Sequence, residues 1–256
     1  MKKSISILAI TLIGGFLTCQ SALAAVDQFS LGLGAAMVPD YEGSEDYEAA
    51  PLLFARYSYD EGSYVQLKGS ELRWNFLNRE IEFGPLLQYR MERDDVDNNQ
   101  VDDMDKVDSA VAGGLFIVGR VEQWSATLKF ATDISDEDTG YTVYLGGDYL
   151  AKFSEQLNIK FGVSTTYASS DYMGSYFDVN SSNRGSSTLP NYNAGGGEFK
   201  DVGARMITTY SFNSNWSVVG NINYKRLVGD AADSPLVDDV GSKNQYILGA
   251  MCVYTF

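Results

Sequence analysis

The sequence predicts an all-β chain, an antiparallel transmembrane β-barrel of about 12 strands, with ten as the alternative count. Three observations carry this. Segments across residues 25–256 alternate apolar and polar side chains with a period of two, the connections between them alternate short and long, and the last segment ends on an aromatic residue, Phe256. Composition agrees. The 17 Tyr, 13 Phe and 25 Gly beside only 5 Pro suit sheet rather than helix.

Residues 1–24 are an export signal. Met1, Lys2 and Lys3 form a basic start, Ile5 to Leu17 an apolar run and Ala22-Leu23-Ala24 an A-x-A site, so cleavage is expected between Ala24 and Ala25. The run is shorter than the roughly 20 residues a spanning helix needs. A lipidated Cys19 is disfavoured because Phe16-Leu17-Thr18 lacks a small residue just before it. Residues 25–256 then form one barrel domain in which Cys252 is the one remaining cysteine, with no disulfide partner.

Within that domain the twelve segments begin near Phe29, Leu52, Ser63, Glu71, Ile81, Ser109, Glu122, Tyr141, Gln156, Asp201, Asn215 and Lys243. The alternation is plain where Leu157, Ile159, Phe161, Val163, Thr165 and Tyr167 share one face and Asn158, Lys160, Gly162, Ser164 and Thr166 the other. Short connections fall at Asp60-Glu61-Gly62, Asn78-Arg79, Gly119-Arg120, Ser154-Glu155 and Asn213-Ser214, and long ones at Pro39 to Ala49, Glu92 to Asp108, Ser169 to Lys200 and Gly229 to Ser242. Short turns belong on the periplasmic side of such a barrel and long loops outside. Gly69-Ser70 is tight where a long loop is due, which leaves ten strands as the alternative. Aromatic residues sort into two girdles, Phe29, Tyr59, Phe76, Phe83, Trp124, Phe153, Phe212, Trp216 and Tyr254 at the inner end, and Tyr89, Tyr141, Tyr167, Tyr224 and Tyr246 at the outer.

Charge excludes several functions. With 34 Asp+Glu against 19 Lys+Arg the chain carries −15, so it repels phosphate backbones and is not a nucleic-acid binder. It has no His, which removes Ser-His-Asp hydrolysis and His-ligated metals. No nucleophile-base pair stands out, and the chain is read as a non-enzyme without catalytic, metal or cofactor residues. Residues 92–108 carry eight acids, and Asp95-x-Asp97-x-Asn99 opens a calcium-loop spacing, but Gln100 replaces the turn glycine and Lys106 the bidentate acid. That loop is read as solvated, with divalent-cation bridging to lipopolysaccharide as the alternative. Residues 169–200, rich in Ser, Asn and Gly, read as a mobile external loop. The alternation turns Arg56, Lys68, Arg73, Arg90, Lys129, Lys152, Lys160, Arg205 and Lys225 into the lumen against Glu71, Glu82, Asp148 and Asp201. Two readings follow: an anion-leaning pore, or internal pairing that leaves no open channel.

Two segments carry a family resemblance. Val38-Pro39-Asp40-Tyr41-Glu42-Gly43-Ser44, with Pro51 and Tyr57 after it, and Tyr224 to Val237, which includes Gly229-Asp230-Ala231-Ala232-Asp233-Ser234-Pro235, with Gly241-Ser242 and Gln245 after it, resemble the two end blocks of the MipA/OmpV family. The terminal Phe256 resembles the closing signature of bacterial outer-membrane barrels. The resemblance implies a protein of the Gram-negative cell outer membrane, in contact with its lipid and lipopolysaccharide. It implies a scaffold that links a lytic transglycosylase to a murein synthase in peptidoglycan remodelling; the alternatives are a narrow solute channel, suggested by the basic lumen, and a surface adhesin working through the long loops. One tension accompanies it. The topology puts both signature loops outside the cell while murein enzymes work in the periplasm, so either Asp230, Asp233 and Pro235 shape a loop folded into the barrel mouth, or the orientation is reversed.

Overall fold

The computed structural model describes residues 27–59 and 62–256, so the cleavage site at Ala24 and Ala25 and the turn residues Asp60 and Glu61 lie outside the described residues. Twelve strands follow one another: β1 (Gln28–Pro39), β2 (Tyr47–Tyr59), β3 (Ser63–Lys68), β4 (Glu71–Asn75), β5 (Ile81–Arg90), β6 (Ala110–Val121), β7 (Trp124–Asp133), β8 (Tyr141–Lys152), β9 (Leu157–Ala168), β10 (Glu198–Ser211), β11 (Trp216–Leu227) and β12 (Asn244–Thr255). Each pairs antiparallel with its sequence neighbours, and β1 meets β12 from Ser30↔Thr255 to Met37↔Leu248, which closes the barrel. Closure gives the wall's N–H and C=O groups partners within the sheet, the condition for a sheet to sit in lipid. Four short helices lie in the loops: α1 (Asn99–Asp102), α2 (Ser170–Phe177), α3 (Gly229–Asp233) and α4 (Pro235–Asp238). No described helix is long and apolar enough to cross a membrane.

The period-two pattern sets the two faces. Leu31, Leu33, Leu53, Leu87, Leu115, Leu128, Val163 and Leu248 point outward and stay exposed, with Leu33 and Val163 each at 66%. In water each such side chain forgoes about 1.5–3 kcal/mol of burial, so this face requires an apolar surround. Aromatic pairs ring both ends of it. Phe29 stacks on Phe256, Trp124 meets Tyr149 and Trp216 meets Tyr254 at the short-turn end, while Phe130, Tyr141, Tyr167 and Phe199 form a chain and Tyr224 meets Tyr246 at the other. Inside, one wall is filled by Leu86, Ala112, Phe116, Val118 and Ala131.

Strand boundaries depart from expectation in two places, and the doubtful hairpin holds. β2 starts five residues before Leu52, at Tyr47, because pairing with β1 through Pro39↔Tyr47 extends it over Glu48-Ala49-Ala50, which carry no alternation. The β6–β7 turn is Glu122-Gln123, not Gly119-Arg120, and Glu122 takes a left-handed φ of 53°. The tight Gly69-Ser70 turn joins two real strands of 6 and 5 residues, so the count is twelve, not ten. Residues 169–200 also differ from the mobile loop expected of them. They contain α2 and an antiparallel bridge between Val179 and Tyr192, and much of the segment is buried.

Candidate functional site: the lidded lumen

The loops 40–46, 91–109, 169–197 and 228–243 meet over one end of the barrel and share an apolar core. Tyr41, Val101, Met104, Met173, Phe177, Val179, Leu236 and Val237 are among its buried members. They are few and irregularly spaced within polar loops. That is why the acidic loop, read as solvated, contributes Val96, Val101 and Met104 here while its acids face outward.

The signature residues build this lid. Tyr41 is buried and donates to the Leu236 carbonyl at 3.1 Å; burial pushes its hydroxyl well above the ordinary tyrosine range, outweighing Arg93. Gly43 has φ 107°, and a Cβ there would lie 2.6 Å from Val237 Cγ2, so only glycine fits. Its carbonyl accepts from Ser242 N at 2.7 Å, and the buried Ser44 carbonyl accepts from Gln245 Nε2 at 2.9 Å. Pro39 ends β1. Gly229 takes φ 57° against the Glu198 carboxylate, which accepts from Ala231 N at 3.2 Å. The Asp230 carbonyl accepts from the Tyr192 hydroxyl at 2.8 Å, and Ala231 and Ala232 are buried. Asp233 reaches Lys243 at 3.4 Å, buried Ser234 donates to the Phe177 carbonyl at 2.6 Å, and Pro235 opens α4. Both signature blocks, 200 residues apart in the chain, thus seat on each other.

Beneath the apolar core lies an ionic latch. A register shift between Phe199 and Asp201 turns both Lys200 and Asp201 inward. Lys200, 3% exposed, pairs with Glu42 and with Asp201 at 2.9 Å, and the Tyr172 hydroxyl donates to Glu42 at 2.8 Å. Burial works to raise the Glu42 carboxyl, but Lys200 and Lys225 outweigh it and hold it below the usual carboxylate range. Burial, with Glu42 alongside, pushes the Tyr172 hydroxyl well up. Arg90 donates to the Thr139 carbonyl and hydroxyl at 2.8 Å each, and its guanidinium lies 5.2 Å from the Tyr172 ring centre. Arg93 reaches the Tyr176 carbonyl at 3.2 Å, whereas its own Nε and the Tyr176 hydroxyl are buried without a hydrogen-bond partner among the described residues.

Lower in the lumen the charges cross from wall to wall. Glu71 accepts from Lys129 at 2.8 Å and from Arg73. Arg205 grips Asp148 through two nitrogens at 2.8 and 2.7 Å and donates to the Tyr144 hydroxyl at 2.8 Å. Arg56 donates to Gln66 at 3.2 Å and lies over the Tyr64 ring, whose hydroxyl meets Glu82. Lys68, Lys152, Lys160 and Lys225 form no ion pair among the described residues. Three members were not foreseen. Arg120, which pairs with Glu82 at 2.8 Å, was assigned to a turn, although it continues the inward alternation of Phe116 and Val118. Lys200 faces inward through an irregularity that alternation cannot announce, and Glu42 reaches the lumen from a loop.

Comparison with known proteins adds identity to this geometry. The family model described as MltA-interacting protein MipA matches residues 31–256. The outer membrane protein OmpV of Vibrio cholerae is 31% identical over 159 residues, 62% of this chain and 59% of that protein, and Omp26La of Vibrio anguillarum is 30% identical over 166 residues with the same shares. The match therefore spans about three fifths of the length of these two relatives. The MltA-interacting protein of Escherichia coli K12 is 24% identical over 219 residues, 84% of this chain and 86% of that protein. This chain belongs to the MltA-interacting protein MipA family and is a β-barrel of the outer membrane.

Proposed function

We propose that the chain is an outer-membrane scaffold that brings a lytic transglycosylase to a murein synthase. The observation that carries this reading is the likeness to the MltA-interacting protein over 84% of the chain. The lid supports it from another direction, because Phe177, Leu236 and Val237 pack into a buried apolar core among the loops over the mouth. With the signature residues engaged in that lid, the docking face we assign is the short-turn end, where Asn78, Arg79, Gln123, Glu155 and Asn213 lie between strands. Outer-membrane lipid covers the apolar band, and lipopolysaccharide meets the long-loop rim. In this reading the lidded end is the outer one and the tension over the signature loops disappears.

The immobilised, refolded chain is expected to retain both murein enzymes from a detergent extract. Arg79→Glu combined with Gln123→Lys is expected to release them, and Tyr176→Phe in the lid to leave retention unchanged. Retention that ignores the turns, or none at all, ends the scaffold reading. A narrow channel is the second reading, favoured by the inward-facing Arg205, Lys129 and Arg73, whose side chains stay 25%, 20% and 18% accessible despite their ion pairs.

A further inference from the structure

The outward face of the barrel is not evenly filled. Where β11, β12 and β1 run side by side, the residues at one height are small: Gly220 stands opposite Ala250, and Ala250 opposite Ala35. The next outward layer toward the long loops is large, with Met206, Ile222 and Leu248 in register from β10 to β12. The step leaves a hollow of about 570 Å³ on the wall. A second hollow, of about 530 Å³, lies above it and shares Met37 and Leu248 with it. Its cause is a parting of the wall. β1 and β12 pair only as far as Met37↔Leu248, while β1 stays with β2 up to Pro39↔Tyr47. Beyond the last pair, the Tyr246 N–H donates to the Tyr47 hydroxyl at 3.2 Å, which keeps its own proton to donate. Around the upper hollow the lining turns polar, with Glu45, Ser242 and Asn244 joining Tyr47 and Tyr246. Arg226 on β11 donates to Asn244 Oδ1 at 2.9 Å, is exposed, and forms no ion pair among the described residues. Lys243, by contrast, is held by Asp233 and Asp238. The two hollows make one groove, apolar below and polar above, beside the outer girdle pair Tyr224 and Tyr246.

Lipid tails are as apolar as the wall, so burial alone selects none of them. A hollow does select, because a chain lying in it meets protein on several sides rather than one, and the dispersion contacts add. A guanidinium at headgroup level supplies a two-pronged partner for phosphate. We infer that this groove binds one lipopolysaccharide molecule through its lipid A part, with an acyl chain against Gly220, Ala250 and Ala35 and a sugar phosphate on Arg226. The Tyr47 hydroxyl and Asn244 then face the sugar. Glu45 enters from the β2 side, so the phosphate belongs on the β11 side. The inference deepens the placement of lipopolysaccharide at the long-loop rim and rests on that end being the outer one.

The test is native mass spectrometry of the refolded chain in an uncharged maltoside detergent, titrated separately with diphosphoryl lipid A, dephosphorylated lipid A and phosphatidylethanolamine. Diphosphoryl lipid A is expected to bind as a single adduct and at the lowest concentration of the three. Gly220→Leu fills the floor of the lower hollow. A Cβ there meets nothing within 4 Å, so the variant is expected to fold and to bind lipid A at least about tenfold more weakly. Arg226→Gln is expected to bring diphosphoryl lipid A down to the level of the dephosphorylated form and to leave the latter's own binding unchanged. Gly119→Leu on β6, where a Cβ is equally free of neighbours, leaves all three affinities as they are. Phosphatidylethanolamine bound in preference to lipid A, with the same loss in Gly220→Leu, would overturn the lipid A assignment and count against the outward placement of the lid. Lipid A binding that ignores both Gly220→Leu and Arg226→Gln would overturn the groove and leave that placement standing.

Discussion

Gly43 shows how far a single missing Cβ can govern the lid. Its φ of 107° and its closeness to Val237 leave no room for a side chain, so Gly43→Val is expected to cost roughly 1–3 kcal/mol, read as a lower Tm in detergent. Tyr176 is the opposite case. Its hydroxyl is buried without a hydrogen-bond partner among the described residues, so Tyr176→Phe removes a desolvation penalty and keeps the ring, which packs 4.4 Å from that of Tyr172; unfolding should show stability unchanged or raised, by at most about 1–3 kcal/mol. The latch predicts a pH dependence. The Glu42 carboxyl is held below its ordinary value near 4.5, so its pairing stabilises the lid above that value and is lost as pH falls through the lower folded one. Tyr172 and Tyr41 are raised, so their neutral hydroxyls contribute below the ordinary value of 10.0 and lose that contribution as pH rises through their folded values. Hydrogen exchange in α2 is expected to speed up on both sides of this window, and Glu42→Gln to flatten the acid side alone.

At the scale of elements, the short hairpin of β3 and β4 is the weak part of the wall. Only Glu71 to Arg73 pair with β5, and beyond them Asn75 substitutes for the ladder. Its Oδ1 accepts from Phe83 N at 2.8 Å and Leu77 N at 3.3 Å, while Nδ2 donates to the Gly62 and Leu77 carbonyls. Asn75→Ala leaves these groups unmet in a buried position and is expected to cost more than the roughly 1 kcal/mol of one ordinary hydrogen bond, with faster exchange confined to β4 and the start of β5. The strands were legible in the sequence because alternation reports which side of a wall a residue faces, and eleven of twelve observed starts lie within three residues of the expected ones. β2 was the exception, since Ala49 and Ala50 are equally at home on either face. The lid was illegible for a related reason: Met173, Phe177, Val179 and Leu189 are too irregularly spaced to produce a period, and their partners lie up to 150 residues away in sequence.

The whole molecule joins an apolar outer band, a basic lumen and a lid built from the family's signature residues. A sequence reading could place the charges on the inward face but not decide between open pore and internal pairing, because that depends on which loops fold inward. Glu42 on Lys200, Arg205 on Asp148 and Lys129 on Glu71 favour pairing, while Lys68 and Lys160 form no ion pair among the described residues. The most direct test of a lidded, non-conducting barrel is single-channel conductance of the refolded chain in a planar bilayer. The native chain is expected to stay silent and Gly43→Val to show intermittent openings as the lid loosens. Steady, discrete openings of the native chain would contradict the account and make the basic lumen the conducting path of a channel.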